Sequence, residues 1–470
     1  MFFRADASAE IGYGHFIRTL ALADMLKDDF DCTFFTQAPT EYQKREAAGV
    51  CRLVGLPSDA SKFEVFLGYL RGDETVVLDN YFFTADYQQQ IRNKGCRLVC
   101  VDDIHDRHYH ADIVINQMVT DPSSFSADRH TRLCLGPEWA LLRRPFLEPP
   151  DITKRETGHW FLSFGGSDVL NLTEKYVSML KSMNASRISV VVGDAYGYTG
   201  RLVRYSDITI HRNLSARMMA DLMQRCEYAV VPSSGICLEA LSRGCKVASG
   251  YYVDNQAEAY RYLDRRRLVA PLGDMREVSG LSDKIPEKWP DSSMKTDFRS
   301  IPARYVSLFT TLYSDYRLDG ISFVDYTRLP ETLHRLLLDA RNDGSVRMQM
   351  DSTGEIPWES HCQFVDNLRE NDSKRYWAVF EDGALIGSVN IHYLDDYKVE
   401  RGIYVMPALM GKSYGPKMEN AIEEYLRLLG VKIIEAKVLH SNTRSLSFHY
   451  KKGYRKHGSD DKYEYLTKEI

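Results

Sequence analysis

A glycine turn that presents a histidine is the most chemically suggestive feature of the sequence. Gly12, Gly14 and His15 follow a short apolar run at residues 1–3. From His15 onward apolar residues recur with helical spacing, which predicts that the turn lies at a helix N-terminus. Free backbone amides at such an end favour anions and keep an imidazole neutral, and a neutral imidazole can act as a base near pH 7. Taken alone, the segment is also compatible with an ordinary glycine turn and an incidental histidine.

Two further loops in the middle of the chain suit phosphate binding. They are Gly165-Gly166-Ser167-Asp168 and Ser233-Ser234-Gly235, and each precedes a predicted helix. Bare amides at a helix start can face a pyrophosphate, and the serine hydroxyls add donors. Glu239, one turn into the second helix, is predicted to accept hydrogen bonds from ribose hydroxyls. Either loop alone could be a structural strand–helix turn, but their coincidence favours nucleotide binding.

The elements that must position these loops alternate between strand and helix. Apolar runs predict strands at 1–3, 32–36, 75–78, 97–101 and 113–116, and helices at 16–26, 41–48 and 87–93. After a proline linker at 148–151 the pattern restarts, with strands at 160–163, 189–192, 228–231 and 246–249. Such alternation indicates parallel sheets covered on both faces, whose ligands bind at the carboxyl ends of the strands.

The pattern of predicted strands and helices changes after residue 319. Strands at 376–380 and 385–391 flank a hairpin turn, and helices are predicted at 416–429 and 442–452, so this part is expected to be mostly antiparallel. About 150 residues per domain is usual. We therefore expect three domains, at residues 1–150, 151–316 and 317–470.

Composition narrows the class of protein. The chain has 470 residues, a net charge of −5 and 27% charged residues, so it lacks the basic excess of a nucleic-acid-binding protein. Nine scattered cysteines without a Cys-x-x-Cys motif predict reduced thiols in the core. No long apolar segment or leader is visible, so we expect a cytoplasmic protein without a membrane partner. The cluster His105, Asp106, His108 and His110 is interpreted as a solvated loop, and no metal site is expected.

The two α/β segments have the architecture of nucleotide-sugar enzymes of the GT-B type, and their motifs resemble one family in particular. The motifs are Arg4-Ala5-Asp6, Gly12-x-Gly14-His15-x-x-Arg18, Asp79-x-Tyr81, Asp102-Asp103, Gly136-x-x-Trp139-Ala140-Leu141-Leu142-Arg143, Gly165-Gly166-Ser167-Asp168 and Asn255-Gln256. Together they resemble the UDP-2,4-diacetamido-2,4,6-trideoxy-β-L-altropyranose hydrolases of pseudaminic acid biosynthesis, over about residues 1–275.

This resemblance implies two Rossmann-like domains, with uridine diphosphate on the second and the sugar against the first. It implies a metal-independent, inverting hydrolysis at the anomeric carbon, in which His15 activates the water, Tyr81 shares the catalytic site, and Tyr81 and Asn255 line the sugar and phosphate. The other substrate-binding residues it implies are Asp6, Gly12, Gly14, Arg18, Arg143, Gly165, Gly166, Ser167, Asp168 and Gln256.

The last domain carries a second resemblance. Met410-Gly411-Lys412-Ser413-Tyr414-Gly415 is similar to the pyrophosphate loop of GNAT-family N-acetyltransferases, and Asn442-x-x-Ser445-x-x-Phe448-x-Tyr450-x-x-Gly453-Tyr454 resembles their closing helix and turn. The resemblance implies an α+β GNAT domain with acetyl-CoA as cosubstrate and Tyr450 as the acid that protonates the departing thiolate. The implied cofactor-binding residues are Val405, Gly411, Lys412, Ser413, Tyr414, Gly415 and Asn442. Glu400 and His392 are both candidate bases for the amine.

Together the two resemblances predict a bifunctional enzyme of pseudaminic acid biosynthesis. One half would acetylate N4 of UDP-4-amino-4,6-dideoxy-β-L-N-acetylaltrosamine, and the other would hydrolyse the product to UDP and the free 2,4-diacetamido sugar. Three alternatives stay open: a GT-B glycosyltransferase, a hydrolase joined to an acyltransferase of different specificity, and a hydrolase regulated by a non-catalytic domain that senses acetyl-CoA.

Overall fold

A computed structural model describes residues 1–7, 12–119, 121–166, 168–193, 195–205, 207–289 and 297–470. The chain divides into two compact units, Met1–Pro302 and Ala303–Ile470. The finer division at residues 150 and 316 stays a prediction.

The first half of the Met1–Pro302 unit alternates strands with helices. Its strands are β1 Phe2–Arg4, β2 Thr33–Gln37, β3 Arg52–Leu56, β4 Thr75–Leu78, β5 Arg97–Val101, β6 His108–Tyr109, β7 Ile113–Asn116, β8 Ser126–Ala127 and β9 Arg132–Leu135. Its helices are α1 Gly14–Leu26, α2 Glu41–Ala48, α3 Lys62–Tyr69, α4 Ala85–Asn93 and α5 Arg144–Leu147. Strands β4 and β7 are buried along their whole length, as expected when helices cover both faces of a parallel sheet.

The second half of this unit repeats the pattern. Its strands are β10 Glu156–Leu162, β11 Arg187–Val192, β12 Ile208–Arg212, β13 Cys226–Pro232, β14 Lys246–Tyr251 and β15 Ala270–Asp274. Its helices are α6 Leu172–Ser182, α7 Thr199–Leu202, α8 Ala216–Arg225, α9 Gly235–Ser242 and α10 Ala257–Arg265.

Strand order shows where each half can bind a ligand. Among the described residues the first sheet runs β3-β2-β1-β4-β5-β7-β9 and the second runs β12-β11-β10-β13-β14-β15, with all neighbours parallel. Each sheet therefore reverses its winding between its first and fourth strands. Ligands of doubly wound sheets bind outside the carboxyl ends of the two strands at this switch point. The loops after β1, β4, β10 and β13 are the predicted ligand loops.

The Ala303–Ile470 unit is built on a mixed sheet. In the described chain its order is β16-β17-β18-β19-β20-β21-β23-β22, antiparallel throughout except for the parallel pair β20 and β21. The strands are β16 Tyr316–Leu318, β17 Ile321–Asp325, β18 Lys374–Glu381, β19 Ala384–Asp395, β20 Lys398–Val405, β21 Ile433–Leu439, β22 Arg455–Ser459 and β23 Tyr463–Glu469. The helices, the first of which begins just before the unit boundary, are α11 Ile301–Thr310, α12 Glu331–Asn342, α13 Gly344–Arg347, α14 Trp358–Leu368, α15 Tyr414–Leu428 and α16 Thr443–Lys451.

The sequence patterns located most of these elements and missed several. The predicted hairpin at 381–383 is confirmed: Asp382 and Gly383 both have positive φ, the geometry of a tight two-residue turn. Strands β3, β12, β15, β22 and β23 and helices α3, α10, α12 and α14 had no prediction. Most of these elements are short or partly exposed, which weakens their hydrophobic pattern.

Most of the cysteines lie in the core, as predicted: the nine form no disulfide with one another, and six of them are buried. Among the described residues no helix is long and apolar enough to cross a membrane.

A close backbone approach tests the packing of the second sheet. A Cβ at Gly193 would lie 2.6 Å from the carbonyl oxygen of Gly166 and 2.7 Å from its Cα. We expect Gly193→Ala to lower the free energy of unfolding of the Met1–Pro302 unit by about 1–3 kcal/mol, because backbone must move. Urea unfolding followed by hydrogen exchange of peptides from this unit measures the change. Gly197→Ala is the matched control, since a Cβ there meets nothing within 4 Å; equal effects at both sites would contradict the prediction.

Candidate active sites

A histidine and a carboxylate meet at the switch point of the first sheet. His15 lies in the first turn of α1 and is 6% exposed, and Asp79 follows β4 and is 1% exposed. His15 Nδ1 is 2.7 Å from Asp79 Oδ1. An ionised carboxylate there accepts a hydrogen bond from Nδ1–H, so the lone pair of the ring resides on Nε2. The pair is therefore oriented as a general base, His15, and the carboxylate that positions it, Asp79.

Arg18, one helical turn after His15, binds the same carboxylate. Its Nε lies 2.7 Å from Asp79 Oδ2, its second terminal nitrogen 2.6 Å from Oδ1, and Thr19 Oγ1 donates to Oδ2 at 2.7 Å. Burial opposes ionisation of Asp79, but the Arg18 charge and the hydrogen bonds from Arg18 and His15 outweigh it and hold the pKa of this carboxyl well below its usual range. Asp79 is therefore an anion at any physiological pH.

Tyr81 extends this network toward the second sheet. Its hydroxyl donates to Asp103 Oδ2 at 3.1 Å and accepts from Asn255 Nδ2 at 2.8 Å, and Arg18 also reaches Asp103 at 2.9 Å. The Tyr81 ring packs edge-on to His15, with centroids 4.6 Å apart. Burial and the nearby Asp103 charge raise the pKa of Tyr81, so its hydroxyl stays protonated. The structure thus brings His15, Arg18, Tyr81 and Asn255 together.

Asp6 is placed differently from these residues. Its carboxylate is fully buried, is bound by Arg4, accepts from Lys62 Nζ at 2.9 Å, and accepts from the Gln37 backbone N–H at 2.8 Å. Its own N–H donates to Asn80 Oδ1 at 2.6 Å. These bonds tie the end of β1 to neighbouring strands, so Asp6 acts here on the shape of the loop. Gly12, with φ of +82°, and Gly14, which begins α1, follow it.

The first loop of the second sheet is open to solvent. Gly165 and Gly166 are exposed, and Gly165 has φ of +89°. Asp168 is buried and accepts from the backbone N–H groups of Leu172 at 2.9 Å and Thr173 at 2.7 Å, so its side chain caps α6. Burial raises the pKa of Asp168. Ser167 lies outside the described residues.

The second loop of this sheet leads into the N-terminus of another helix. Ser234 and Gly235 lie at the start of α9, and Ser233 is buried, with its hydroxyl 2.9 Å from that of Ser249. Within α9, Glu239 Oε1 accepts from Arg143 Nε at 2.9 Å and pairs with its terminal nitrogen at 2.8 Å. Burial raises the pKa of Glu239 and the Arg143 charge opposes that rise. Gln256 Oε1 accepts from the Tyr252 N–H at 3.1 Å, which orders the loop that carries Asn255.

In the Ala303–Ile470 unit a tight loop leads into α15. Gly411 has φ of +85°, and Ser413 adopts a left-handed conformation, φ +65°, directly before the helix. Gly411, Lys412 and Ser413 are exposed, and Tyr414 and Gly415 form the first turn of α15. A helix start of this kind offers unpaired N–H groups to an anion.

Beside this loop two parallel strands separate. Within residues 297–470, all of which are described, β20 and β21 pair only from Lys398 to Glu400 and from Ile433 to Glu435. Strand β20 continues to Val405. On that side, the edge of β20 beyond Glu400 therefore has no strand paired with it. The backbone N–H and C=O groups of this edge can form hydrogen bonds with an extended ligand.

The predicted acid lies on α16. Tyr450 is 45% exposed, and its hydroxyl donates to Glu464 Oε2 at 2.5 Å. This hydrogen bond raises the pKa of Tyr450. Asn442 caps the same helix, its Oδ1 accepting from the Ser445 N–H at 3.0 Å. Asn442 therefore orders the helix that carries Tyr450.

A buried polar cluster ties the two helices to β20. One terminal nitrogen of Arg401 lies 3.0 Å from Glu419 Oε1 on α15, 3.1 Å from His449 Nε2 on α16 and 3.0 Å from the Tyr454 hydroxyl. Burial, with the Arg401 charge beside it, lowers the pKa of His449 to about 4. The cluster fixes α15 and α16 relative to the point where the strands separate.

Sequence reasoning missed a second buried cluster in this unit. The Tyr326 hydroxyl donates to Ser388 Oγ at 2.8 Å and lies 3.5 Å from that of Tyr404, and His334 Nδ1 is 3.1 Å from His361 Nε2. These residues come from five separated segments, so no local motif marks them. The two candidate bases, Glu400 and His392, are directly opposite each other on β20 and β19.

The geometry defines two kinds of unit. The first is a parallel α/β unit whose switch-point loops can bind anions, and the second has a loop and two separating strands like those of acetyltransferases. Comparison with known proteins agrees with both. Residues 342–454 match the model of the acetyltransferase (GNAT) family. The UDP-2,4-diacetamido-2,4,6-trideoxy-beta-L-altropyranose hydrolase of Campylobacter jejuni is 23% identical over 278 residues, 56% of this chain and 96% of its own length.

Of two further relatives, one matches about a third of the chain and the other matches almost all of it. The acetyltransferase PseH of Campylobacter jejuni is 26% identical over 147 residues, 31% of this chain and 92% of its own length. The crystal structure of PseH in complex with acetyl coenzyme A aligns with a TM-score of 0.27 at 23% identity, over 32% of this chain and 98% of its own. An uncharacterized protein of Methanocaldococcus jannaschii is 24% identical over 96% of both chains.

The N-terminal part of this chain is therefore homologous to the Campylobacter hydrolase. The C-terminal part is homologous to PseH and matches the GNAT acetyltransferase family. Both resemblances predicted from the sequence motifs are confirmed.

The buried histidine pair gives the second unit a pH dependence. Burial, and then the neighbouring His361, lower the pKa of His334 to about 4. Between the usual value of about 6.5 and this value the unfolded chain binds a proton that the folded chain does not, so stability falls as pH falls. For His334→Gln we expect the loss of unfolding free energy between pH 7 and pH 5 to be smaller by about 2 kcal/mol.

Urea-dependent hydrogen exchange of peptides from residues 303–470 measures this loss. His457→Gln, which removes an exposed ring, should leave the pH dependence unchanged. A His334→Gln variant with the pH dependence of the wild type would show that the buried imidazole is not held neutral.

Proposed function

We propose that this protein is a bifunctional enzyme that acetylates N4 of UDP-4-amino-4,6-dideoxy-β-L-N-acetylaltrosamine and then hydrolyses the diacetamido product. The products are coenzyme A, UDP and free 2,4-diacetamido-2,4,6-trideoxy-L-altrose. The observation that carries the hydrolytic half is the buried Asp79–His15 pair at a sheet switch point. The homology of the N-terminal part to a hydrolase named for the diacetamido sugar nucleotide, and of the C-terminal part to an acetyltransferase, supports it.

In the hydrolysis, a water oxygen attacks the anomeric carbon while the bond from that carbon to the β-phosphate oxygen breaks. His15 Nε2 takes a proton from the water, since Nδ1 faces Asp79. The electron pair of the broken bond leaves with UDP. Attack from the side opposite the leaving group inverts the anomeric centre. A positioned base contributes roughly 10²- to 10⁴-fold to such a step.

The nucleotide is assigned to the second sheet. Backbone N–H groups of the Gly165–Gly166 loop and of the start of α9, at Ser234 and Gly235, face the pyrophosphate and stabilise its growing charge. They take the place that a metal fills in other nucleotide-sugar enzymes. Glu239 and Arg143 bind the ribose end, and Tyr81 and Asn255 bind between sugar and phosphate. This assignment is that of two Rossmann-like domains, 1–150 and 151–316, in a GT-B arrangement.

The acetyl transfer is assigned to residues 317–470. The pyrophosphate of acetyl-CoA lies on the amides of Gly411 to Gly415, and its extended arm follows the edge of β20 up to Val405. The amine nitrogen of the sugar attacks the thioester carbonyl and loses a proton to a base, Glu400 or His392, and the C–S bond breaks. The sulfur takes a proton from Tyr450. Both substrates are metabolites of the cytoplasm, where we place the enzyme.

His15→Asn tests the hydrolytic half. We expect UDP release from the diacetamido sugar nucleotide to fall by about 10²-fold or more, because asparagine cannot take a proton from water. Acetyl transfer by the same preparation is the internal control and should be unchanged. Chromatography of UDP, coenzyme A and sugar from the 4-amino substrate, with and without acetyl-CoA, provides both readouts.

The same assay tests the position of the base and two of the alternatives. Near-normal UDP release by His15→Asn would place the base elsewhere. A requirement for an added sugar acceptor would identify a glycosyltransferase. Acetyl-CoA that alters UDP release without yielding coenzyme A would identify a sensor domain.

Tyr450→Phe tests the acetyl transfer. We expect kcat for coenzyme A release to fall by about 10²-fold with little change in KM for acetyl-CoA, because the ring remains while the proton donor is lost. Tyr397→Phe, at another exposed tyrosine of the same unit, is the matched control. Equal kcat in wild type and Tyr450→Phe would remove this tyrosine from the acid role.

A further inference from the structure

A group of two histidines and an aspartate lies apart from both candidate sites. His108, His110 and Asp128 each offer a ligand atom, and these atoms all lie within 4.8 Å of one another. None of the three lines the pocket that contains His15 and Asp79. The proposed reactions do not use them.

Strand pairing creates the group. The short strands β6 and β8 are parallel, with His108 opposite Ser126 and Tyr109 opposite Ala127. His110 directly follows β6 and Asp128 directly follows β8, and the Asp128 N–H donates to the Tyr109 carbonyl oxygen at 3.1 Å. Side chains alternate along an extended chain, so His110 continues the side of His108, and Asp128 continues the side of Ser126. The sequence analysis interpreted the cluster around His108 as a solvated loop without a metal site, because Asp128 is remote in the chain.

The distances suit a small metal ion. His108 Nε2 is 3.0 Å from Asp128 Oδ1, and His110 Nδ1 is 3.2 Å from Asp128 Oδ2. Ligand atoms that surround Zn²⁺ tetrahedrally at 2.0–2.1 Å are about 3.3 Å from one another. Both histidine–carboxylate distances are therefore close to the spacing of coordinating atoms, and the three ligand atoms lie within 4.8 Å of one another, within reach of side-chain rotation.

Neighbouring groups already orient the ligands. His108 Nδ1 lies 2.8 Å from Ser126 Oγ. An Nδ1–H donated to that hydroxyl leaves Nε2 as the ligand atom, as is usual for metal-bound histidine. The backbone N–H of His110 donates to Gln88 Oε1 at 2.9 Å, which fixes the chain at this residue. The three side chains are 29–40% exposed, which leaves room for water ligands and an entry path.

We propose that His108, His110 and Asp128 bind one divalent transition-metal ion, best matched by Zn²⁺, with water completing the coordination. Two imidazoles and one carboxylate suit Zn²⁺ better than Mg²⁺ or Ca²⁺, which prefer oxygen ligands. The ion is structural: it ties β6 to β8. The adjacent Arg107 donates to the carbonyl oxygens of Tyr81 and Phe83, both at 2.8 Å, so the ion braces a segment that borders the hydrolase site.

Calorimetric titration of ZnCl₂ into the untagged, metal-stripped full chain at neutral pH tests the proposal. We expect one site that is weakened at least tenfold in His110→Ala and in Asp128→Asn, and weakened in the wild type at lower pH, since bound histidines must lose their protons. MgCl₂ should bind far more weakly. His130→Ala, which removes an exposed histidine two residues beyond Asp128, is the matched control.

Unchanged zinc affinity in both His110→Ala and Asp128→Asn, or no zinc binding by the wild type, would overturn the proposal. Asp128→Asn is nearly isosteric, and hydrogen exchange of the Met1–Pro302 unit verifies that each variant is folded. Zinc that binds the wild type and His130→Ala alike, but not the other two variants, would establish the site independently of either enzymatic activity.

Discussion

The buried carboxylate of Asp79 is the constraint on which the N-terminal site depends. A lone buried anion is costly, and four bonds from His15, Arg18 and Thr19 remove that cost. In doing so they fix the tautomer and direction of the imidazole and hold helix α1 against the end of β4. Because Arg18 also reaches Asp103, the same arrangement fixes the loop after β5 and the hydroxyl of Tyr81.

The two halves of the Met1–Pro302 unit meet through polar pairs at these same loops. Asn255 reaches Tyr81, Arg143 reaches Glu239, and His105 Nε2 lies 3.2 Å from Glu258. Each pair joins one residue from each sheet, so a ligand that enters between the sheets must exchange at least part of these bonds for its own. In the Ala303–Ile470 unit one buried cation fixes the neighbouring elements. Arg401 holds α15 and α16 at the point where β20 and β21 separate.

Local patterns were sufficient for part of this architecture. The buried strands β4, β5 and β7 and the helix α2 were predicted with their observed bounds, since strong apolar runs and capping residues mark them. Weakly patterned elements such as β3 and α12 were missed. The glycine loops were also predicted at the correct strand ends. What a motif could not indicate was the use of each side chain: Asp168 and Asn442 serve as helix caps, and Asp6 is enclosed by Arg4 and Lys62.

The sequence by itself determined the residue types, the glycine turns and the order of strands and helices, and through them the two family resemblances. All of these can be recognised from residues that lie near each other in the chain. Only the tertiary structure decided which distant residues meet: Asp79 with His15, Asn255 with Tyr81, and Asp128 with His108. Strand order makes these pairs, and strand order is set by packing of the whole sheet, which no short stretch of sequence encodes.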